Sequence, residues 1–281
     1  MNTMKITLLL GLLTGLFLAV GGILGGQGGL VIAFVFAIVM NVGSYWFSDK
    51  IVLSMYRAQE VGQQQAPQLH RIVSELAQAA GIPRPKIAIV PVATPNAFAT
   101  GRDPDHGVVA VTQGILQILN EEELKGVLAH EMGHIKNRDT LIQCLAATIA
   151  GAVMMLASMA RWAMLFGGVG NRDDGDNNPL VFLAMAIFAP FAALLIQMAI
   201  SRTREFEADK AGAQFSHNPD ALANALVKLH NTVQKHPMRG ASPSTSHLFI
   251  VNPFKGGVAG LFSTHPPMAE RVKRLRSMRA V

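Results

Sequence analysis

Two histidines flank a glutamate in His130-Glu131-Met132-Gly133-His134. On a helix, residues i and i+4 lie about 40° apart around the axis, so both imidazoles can reach one point. Such a pair suits a divalent transition metal, zinc above all. Glu131 projects beside it, where a carboxylate can take a proton from a water polarised by the ion. The segment also reads as a helix. With Leu124 at zero, Leu128, Met132 and Ile135 fall at about 40°, 80° and 20°, and the histidines at about 240° and 280°. Apolar residues can pack while the histidines face a cleft. That placement weighs against the plain alternative of surface histidines on an amphipathic helix.

Catalytic zinc takes three protein ligands and keeps a fourth position open. The single cysteine, Cys144, sits in an apolar stretch, reads as packing, and excludes a site built from several thiolates. The best source of a third ligand is Arg204-Glu205-Phe206-Glu207-Ala208-Asp209. Glu205 and Asp209 share a helix face, whereas Glu207 points about 200° away from Glu205. One carboxylate of the pair can bind the ion and the other can orient a histidine from behind. Further along, His265-Pro266-Pro267 with Arg271 either brings donors to the site or simply opens the terminal helix. Asp103, Asp105 and His106 read as a solvated hairpin turn. His70, His217, His230, His236 and His247 read as ordinary polar residues.

The elements that position these groups belong to an unusual chain. It has 281 residues, half of them hydrophobic, only 15% charged, with mean hydropathy +0.32. An ordinary soluble domain carries about 25% charge, and a disordered chain has far less apolar content. Residues 6–48 carry no charge, a length sufficient for two spans of about 20 residues. The glycine-rich 25–29 stretch favours a turn between spans at 6–24 and 30–47. Residues 141–160 and 177–201 are two further uncharged stretches. Lys5 and Ala19-Val20-Gly21 admit a cleavable signal, but the long run and the second span behind it favour an anchor. Lys and Arg concentrate in 49–140 and from Arg202 onward, while the 168–179 loop has Arg172 alone. The positive-inside rule then puts both polar segments and both termini in the cytoplasm. The net charge of +6 becomes a topology signal rather than a sign of nucleic-acid binding.

The expected layout is 1–48 two transmembrane helices, 49–140 the first cytosolic part, 141–201 two more helices with a short periplasmic loop, and 202–281 the second cytosolic part. Within these, 67–80 reads as a helix ended by Gly81, and 86–90 as a strand. Residues 96–100 and 107–112 read as strands around a turn, and 115–120 as a short helix. Asn120 reads as the N-cap of a helix over 121–138. The last span can continue as a helix over 201–215. Residues 236–262 read as a long loop.

Taken together, the early spans, the stretch from Ser48-Asp49-Lys50 onward, Pro95-Asn96-Ala97-Phe98-Ala99-Thr100-Gly101, His130 to Asp139, Ser201 to Asp209 and Thr264-His265-Pro266-Pro267 resemble the HtpX-type membrane zinc metalloproteases, relatives of the CAAX prenyl endopeptidases. The resemblance covers essentially the whole chain. It implies an integral membrane, mainly α protein, with four transmembrane helices and a cytosolic zincin-like α+β domain holding a small β-sheet. It implies one Zn2+ per chain on His130, His134 and Glu205, Glu131 as base, and Asp209 as partner of a ligand. His265 and Arg271 are further candidates for support of the site. It also implies unfolded or damaged membrane-protein substrates, a bacterial inner membrane, and quality control under stress.

The residues themselves suggest how substrate is held. Asn96, Ala97, Phe98 and Ala99 look like a strand beside the cleft, with Ala97 and Ala99 on one face. An exposed edge could take an unfolded segment as an added strand. Three rivals are weaker. An intramembrane protease would have to bury the charges of Glu121-Glu122-Glu123 and Lys136-Asn137-Arg138-Asp139 in lipid. A zinc-bearing chaperone or scaffold has no need of Glu131. A transporter would want ionisable residues within the spans.

Overall fold

Gly25 and Gly26 divide the first apolar stretch. The computed structural model describes residues 2–145, 202–235, 249–250 and 266–278. Helix α1, Asn2–Trp46, leaves helical geometry only at these two glycines, and Gly26 takes φ +53°, a conformation that side chains disfavour. The chain doubles back there. Gly21 and Gly29 approach so closely that a Cβ on either would collide with backbone of the other. Farther along, Asn41 donates to Thr14 Oγ1 at 2.8 Å, and Phe17 meets Phe36 edge-on at 4.9 Å. The break is tighter than the expected 25–29 turn, because Gln27, Gly28 and Gly29 already belong to the second arm. That arm, Gly25–Trp46, is long and apolar enough to cross a membrane, with mean hydropathy 1.9; the first, Ile6–Gly22, is shorter. The expected third and fourth spans lie outside the described residues, except for 141–145, which are helical.

The chain divides into two compact units, Met1–Trp46 with Leu145–Ala199 and Phe47–Cys144 with Ile200–Val281. The second unit is built on a four-stranded sheet in the order β1-β2-β4-β3. Its strands are β1 Gln59–Glu60, β2 Lys86–Val90, β3 Ala97–Thr100 and β4 Val108–Thr112. The β2–β4 pair is parallel, and the β1–β2 and β3–β4 pairs are antiparallel. Strand β3 is therefore an edge. Thr112 N–H donates to the Asn96 carbonyl, which makes 96/112, 98/110 and 100/108 the hydrogen-bonded pairs. The backbone groups of Ala97 and Ala99 consequently turn away from β4; the edge is not exposed as expected, because both residues are buried against neighbouring elements. Their side chains join the main core, while Phe98 packs on the other face with Val52, Val90 and Val108.

The described helices follow local signals closely. Helix α2 is Ser48–Met55. Helix α3, Pro67–Ala80, starts on a proline and stops at Gly81 in the left-handed conformation. Helix α4, Gln113–Ile118, begins two residues earlier than expected because the Thr112 hydroxyl caps the Ile115 N–H. Helix α5, Glu121–Lys136, opens on a capping box between Asn120 and Glu123. It ends before the expected Arg138 because Arg138 itself takes φ +57°. A further helix, α6, starts at residue 139. Helices α7 Arg202–Ser216, α8 Pro219–Lys235 and α9 Met268–Ser277 complete the set.

Helix α5 is central, packed against α3, α7, α8 and β3. Small residues permit the close approach. A Cβ on Gly133 would meet the Ala211 side chain at 3.0 Å, and one on Gly126 would press on the Leu222 backbone at 2.8 Å. Ile72, Leu76, Leu128, Met132 and Leu222 fill the space between the helices.

Candidate metal and catalytic centre

Helix α5 is buried along nearly its whole length, and α7 lies beside it. This brings His130, His134 and Glu205 together, with one ligand atom from each lying within 4.8 Å of the others. The two Nε2 atoms are 3.3 Å apart. Glu205 Oε1 lies 3.4 Å from His134 Nε2, and its Oε2 lies 3.8 Å from His130 Nε2. Glu207 is exposed on the opposite side of α7, as helical phase requires.

Carboxylates stand behind both rings. Asp209 Oδ1 is 3.0 Å from His130 Nδ1, and Asp139 Oδ2 is 3.3 Å from His134 Nδ1. An acceptor at Nδ1 favours the proton there and leaves the Nε2 lone pair for coordination. Two lone pairs and a carboxylate then converge, an arrangement that repels itself unless a cation lies among them. The surrounding charge agrees. Among the described residues, four carboxylates are buried here, Glu131, Asp139, Glu205 and Asp209, against two buried guanidinium groups, Arg204 and Arg271. The formal deficit is that of one divalent ion, and buried charge left uncompensated is costly. Two imidazole nitrogens and a carboxylate oxygen are a fitting set for zinc. Burial opposes charge on His134, but Asp139 and Glu205 overcome it and hold its pKa up at about 10.

Arg271 reaches this cluster from α9 and is wholly buried. It grips Asp209 through two bonds, Nε to Oδ2 at 2.8 Å and Nη2 to Oδ1 at 2.6 Å. Its Nη1 lies 3.4 Å from Glu205 Oε2 and donates to the Ile250 carbonyl at 3.2 Å. Burial pushes the Asp209 carboxyl up, yet Arg271 and His130 outweigh it and bring it down to about 2. Glu131 is displaced the other way: burial raises its pKa against the pull of both imidazoles, and the Ala99 backbone N–H donates to it. A carboxylate lifted in this way is a stronger base.

Of the other expected residues, Asn96 is buried and its Oδ1 accepts the Ile250 N–H at 3.1 Å. Ala97, Phe98 and Ala99 form β3 beside α5. His265 lies outside the described residues. Asp103 and His106 pair with each other at 2.6 Å in the hairpin turn, away from the cluster. Two residues at the centre were not legible as such. Asp139 is five positions beyond His134, off its helix face, and arrives only because the chain turns at Arg138. Arg204 sits next to Glu205, and its Nη1 lies 3.0 Å from Asp139 Oδ1.

Residues 63–279 match peptidase family M48. The chain belongs to that family. Relatives agree over nearly its full length. It is 56% identical over 277 residues to a protease HtpX homolog of Syntrophobacter fumaroxidans, covering 98% of each chain. It is also 56% identical over 272 residues to one from Pyrococcus furiosus, covering 96% of this chain and 94% of that one. The crystal structure of Ste24p from S. mikatae shares the fold, with TM-score 0.53 at 19% identity, over 98% of this chain and 65% of that one. This M48 peptidase is a membrane metalloendopeptidase, and the non-hydrolytic scaffold loses its footing.

Proposed function

We propose that the chain is a zinc-dependent endopeptidase that cleaves unfolded or damaged membrane proteins at the cytoplasmic face of a bacterial inner membrane. His130, His134 and Glu205 hold one zinc ion, and Glu131 is the base. The convergence of the three ligand atoms, with a carboxylate behind each ring, carries this reading. Four spans, with both termini and both polar segments cytoplasmic, complete the arrangement, and the distribution of Lys and Arg supports it.

A bound zinc ion supplies Lewis acidity to water and to the scissile carbonyl. The chain supplies the rest. Glu131 takes the proton from the attacking water and returns it to the leaving amine. The Ala99 N–H steadies the Glu131 carboxylate. Asp209, held by Arg271, keeps the His130 ring in place. The edge of β3 receives the substrate as an added strand, through the outward backbone groups of Ala97 and the carbonyl of Ala99, whose N–H is kept for Glu131. Recognition through backbone suits substrates of varied sequence.

The test is cleavage of casein by the full chain purified in detergent. Wild type should lose activity to a chelator and regain it with zinc. Glu131→Gln should bind zinc and fold, with hydrolysis down about 10²-fold or more, as for loss of a general base. Near-normal turnover in a zinc-loaded Glu131→Gln protein rejects the mechanism.

A further inference from the structure

We propose that Asp139 and Arg204 are a positioning pair for His134. The proposal rests on the reading that His134 is a metal ligand. The two oxygens of Asp139 have different partners. Oδ2 faces His134 Nδ1 at 3.3 Å, and Oδ1 faces Arg204 Nη1 at 3.0 Å. The same construction stands behind the other histidine, where Asp209 faces His130 Nδ1 and Arg271 grips Asp209. Each ring is thus backed by a carboxylate that is itself ion-paired with a guanidinium, through two hydrogen bonds from Arg271 and through a charge contact from Arg204. The two sets come from different parts of the chain, α7 with α9 for His130, and the start of α6 with the start of α7 for His134.

Three features mark the pair as more than an ion pair in a convenient place. Asp139 is 2% exposed and Arg204 6%. A buried ion pair adds little net stability, because desolvation offsets the attraction, so orientation is the better account of its presence. The backbone is also committed to it. Arg138 adopts φ +57°, which is unfavourable for a residue with a side chain, and this turn ends α5 and directs Asp139 back at His134. The next residue is pinned, as Thr140 Oγ1 donates to the Gly101 carbonyl at 2.8 Å beyond the end of β3. The backbone on both sides of Asp139 is therefore constrained, and its carboxylate is directed at His134. Finally, Arg204 directly precedes Glu205. Drawing Arg204 to Asp139 sets the first turn of α7, from which Glu205 is presented. One contact thus governs the second histidine and the third ligand together.

The test uses the full chain in detergent and reads zinc affinity by chelator competition, with the visible absorption of the Co2+-substituted protein as a report on ligand geometry. Asp139→Ala should weaken zinc about 10- to 100-fold, as loss of a hydrogen-bonding partner behind a ligand does, and should change the cobalt spectrum. Asp139→Asn keeps an oxygen for the His134 N–H and should recover part of the affinity, as should Arg204→Lys relative to Arg204→Ala. The double variant Asp139→Ala/Arg204→Ala should bind zinc no more weakly than the worse single variant, because the residues act as a unit. If Asp139→Ala does not fold, the Asn variant carries the test, with a few-fold weakening and an altered cobalt spectrum expected. Zinc affinity within twofold of wild type and an unchanged spectrum, in whichever of the two variants folds, overturns the proposal. His134→Ala separates the two levels: if it too binds zinc like wild type, the ligand assignment has failed rather than the pair.

Discussion

Glu205 and Glu207 are two residues apart and opposite in fate. Glu205 is buried and faces both imidazoles, while Glu207 is exposed across the helix. Glu205→Ala should therefore lower zinc occupancy far more than Glu207→Ala, and metal analysis of the purified variants decides it. An essential Glu207 would mean that the ligand register is wrong. Asp209→Ala should cost about 10- to 100-fold in affinity or activity. Its effect has two sources. The His130 ring loses its partner, and Arg271 is left buried without its principal anion. Asp209→Asn should be milder, because it still offers an oxygen to the ring.

At the scale of elements, the site depends on how closely α5, α7 and β3 approach. Gly133 faces Ala208 and Ala211 with no room for a larger side chain. Gly133→Val should push α7 away from α5 and weaken zinc binding, although no ligand is touched. Overpacking of this kind costs about 1–3 kcal/mol, so the melting temperature should fall as well. Normal zinc affinity in a folded Gly133→Val protein would show that the contact does not set the ligand distance. The edge strand invites a similar experiment. Ala99→Pro removes a donor that also serves Glu131, so it perturbs base and edge together. Ala97→Pro acts on the edge at a residue that does not bond the base. It should impair kcat/KM for peptide cleavage with zinc retained, because proline removes an amide donor and fixes φ. An unchanged kcat/KM in the folded, zinc-loaded variant would place substrate elsewhere.

For the whole molecule, the expectation is that both polar segments face the cytoplasm. Single cysteines can be probed in intact cells with an impermeant reagent, against a background in which the natural Cys144 is buried. Asp105 is exposed in the hairpin turn and is a sound probe position. Gly101 is not, since its φ of +125° and the nearby His106 backbone exclude a side chain. A cysteine at Asp174 should react, and cysteines at Asp105 and Gly240 should not. Labelling at Asp105 or Gly240 would overturn the orientation and the compartment of the chemistry.

Local chemistry in the sequence determined a good deal. The spacing of His130 and His134 and the phase of Glu205 against Glu207 depend on helical geometry alone, which any helix reproduces. The bounds of α3 and β2 were legible because proline, glycine and alternating apolar residues act within a few positions. The capping of α5 by Asn120 was legible for the same reason. At α4 and α5 one local event moved the boundary: the Thr112 hydroxyl cap at the start of α4, and the left-handed Arg138 at the end of α5. Tertiary structure decided what lies behind the metal. Nothing in the spacing of Asp139 and His134 places them together, because a five-residue step leaves the helix face and only the turn at Arg138 restores it. Arg271 was open between two roles until α9 packed and brought its guanidinium onto Asp209, 62 residues earlier in the chain. The edge position of β3 was likewise undecided, since alternation fixes the faces of a strand but not its neighbours. Which strands pair is a long-range choice, and here the parallel pairing of β2 with β4 left β3 outside.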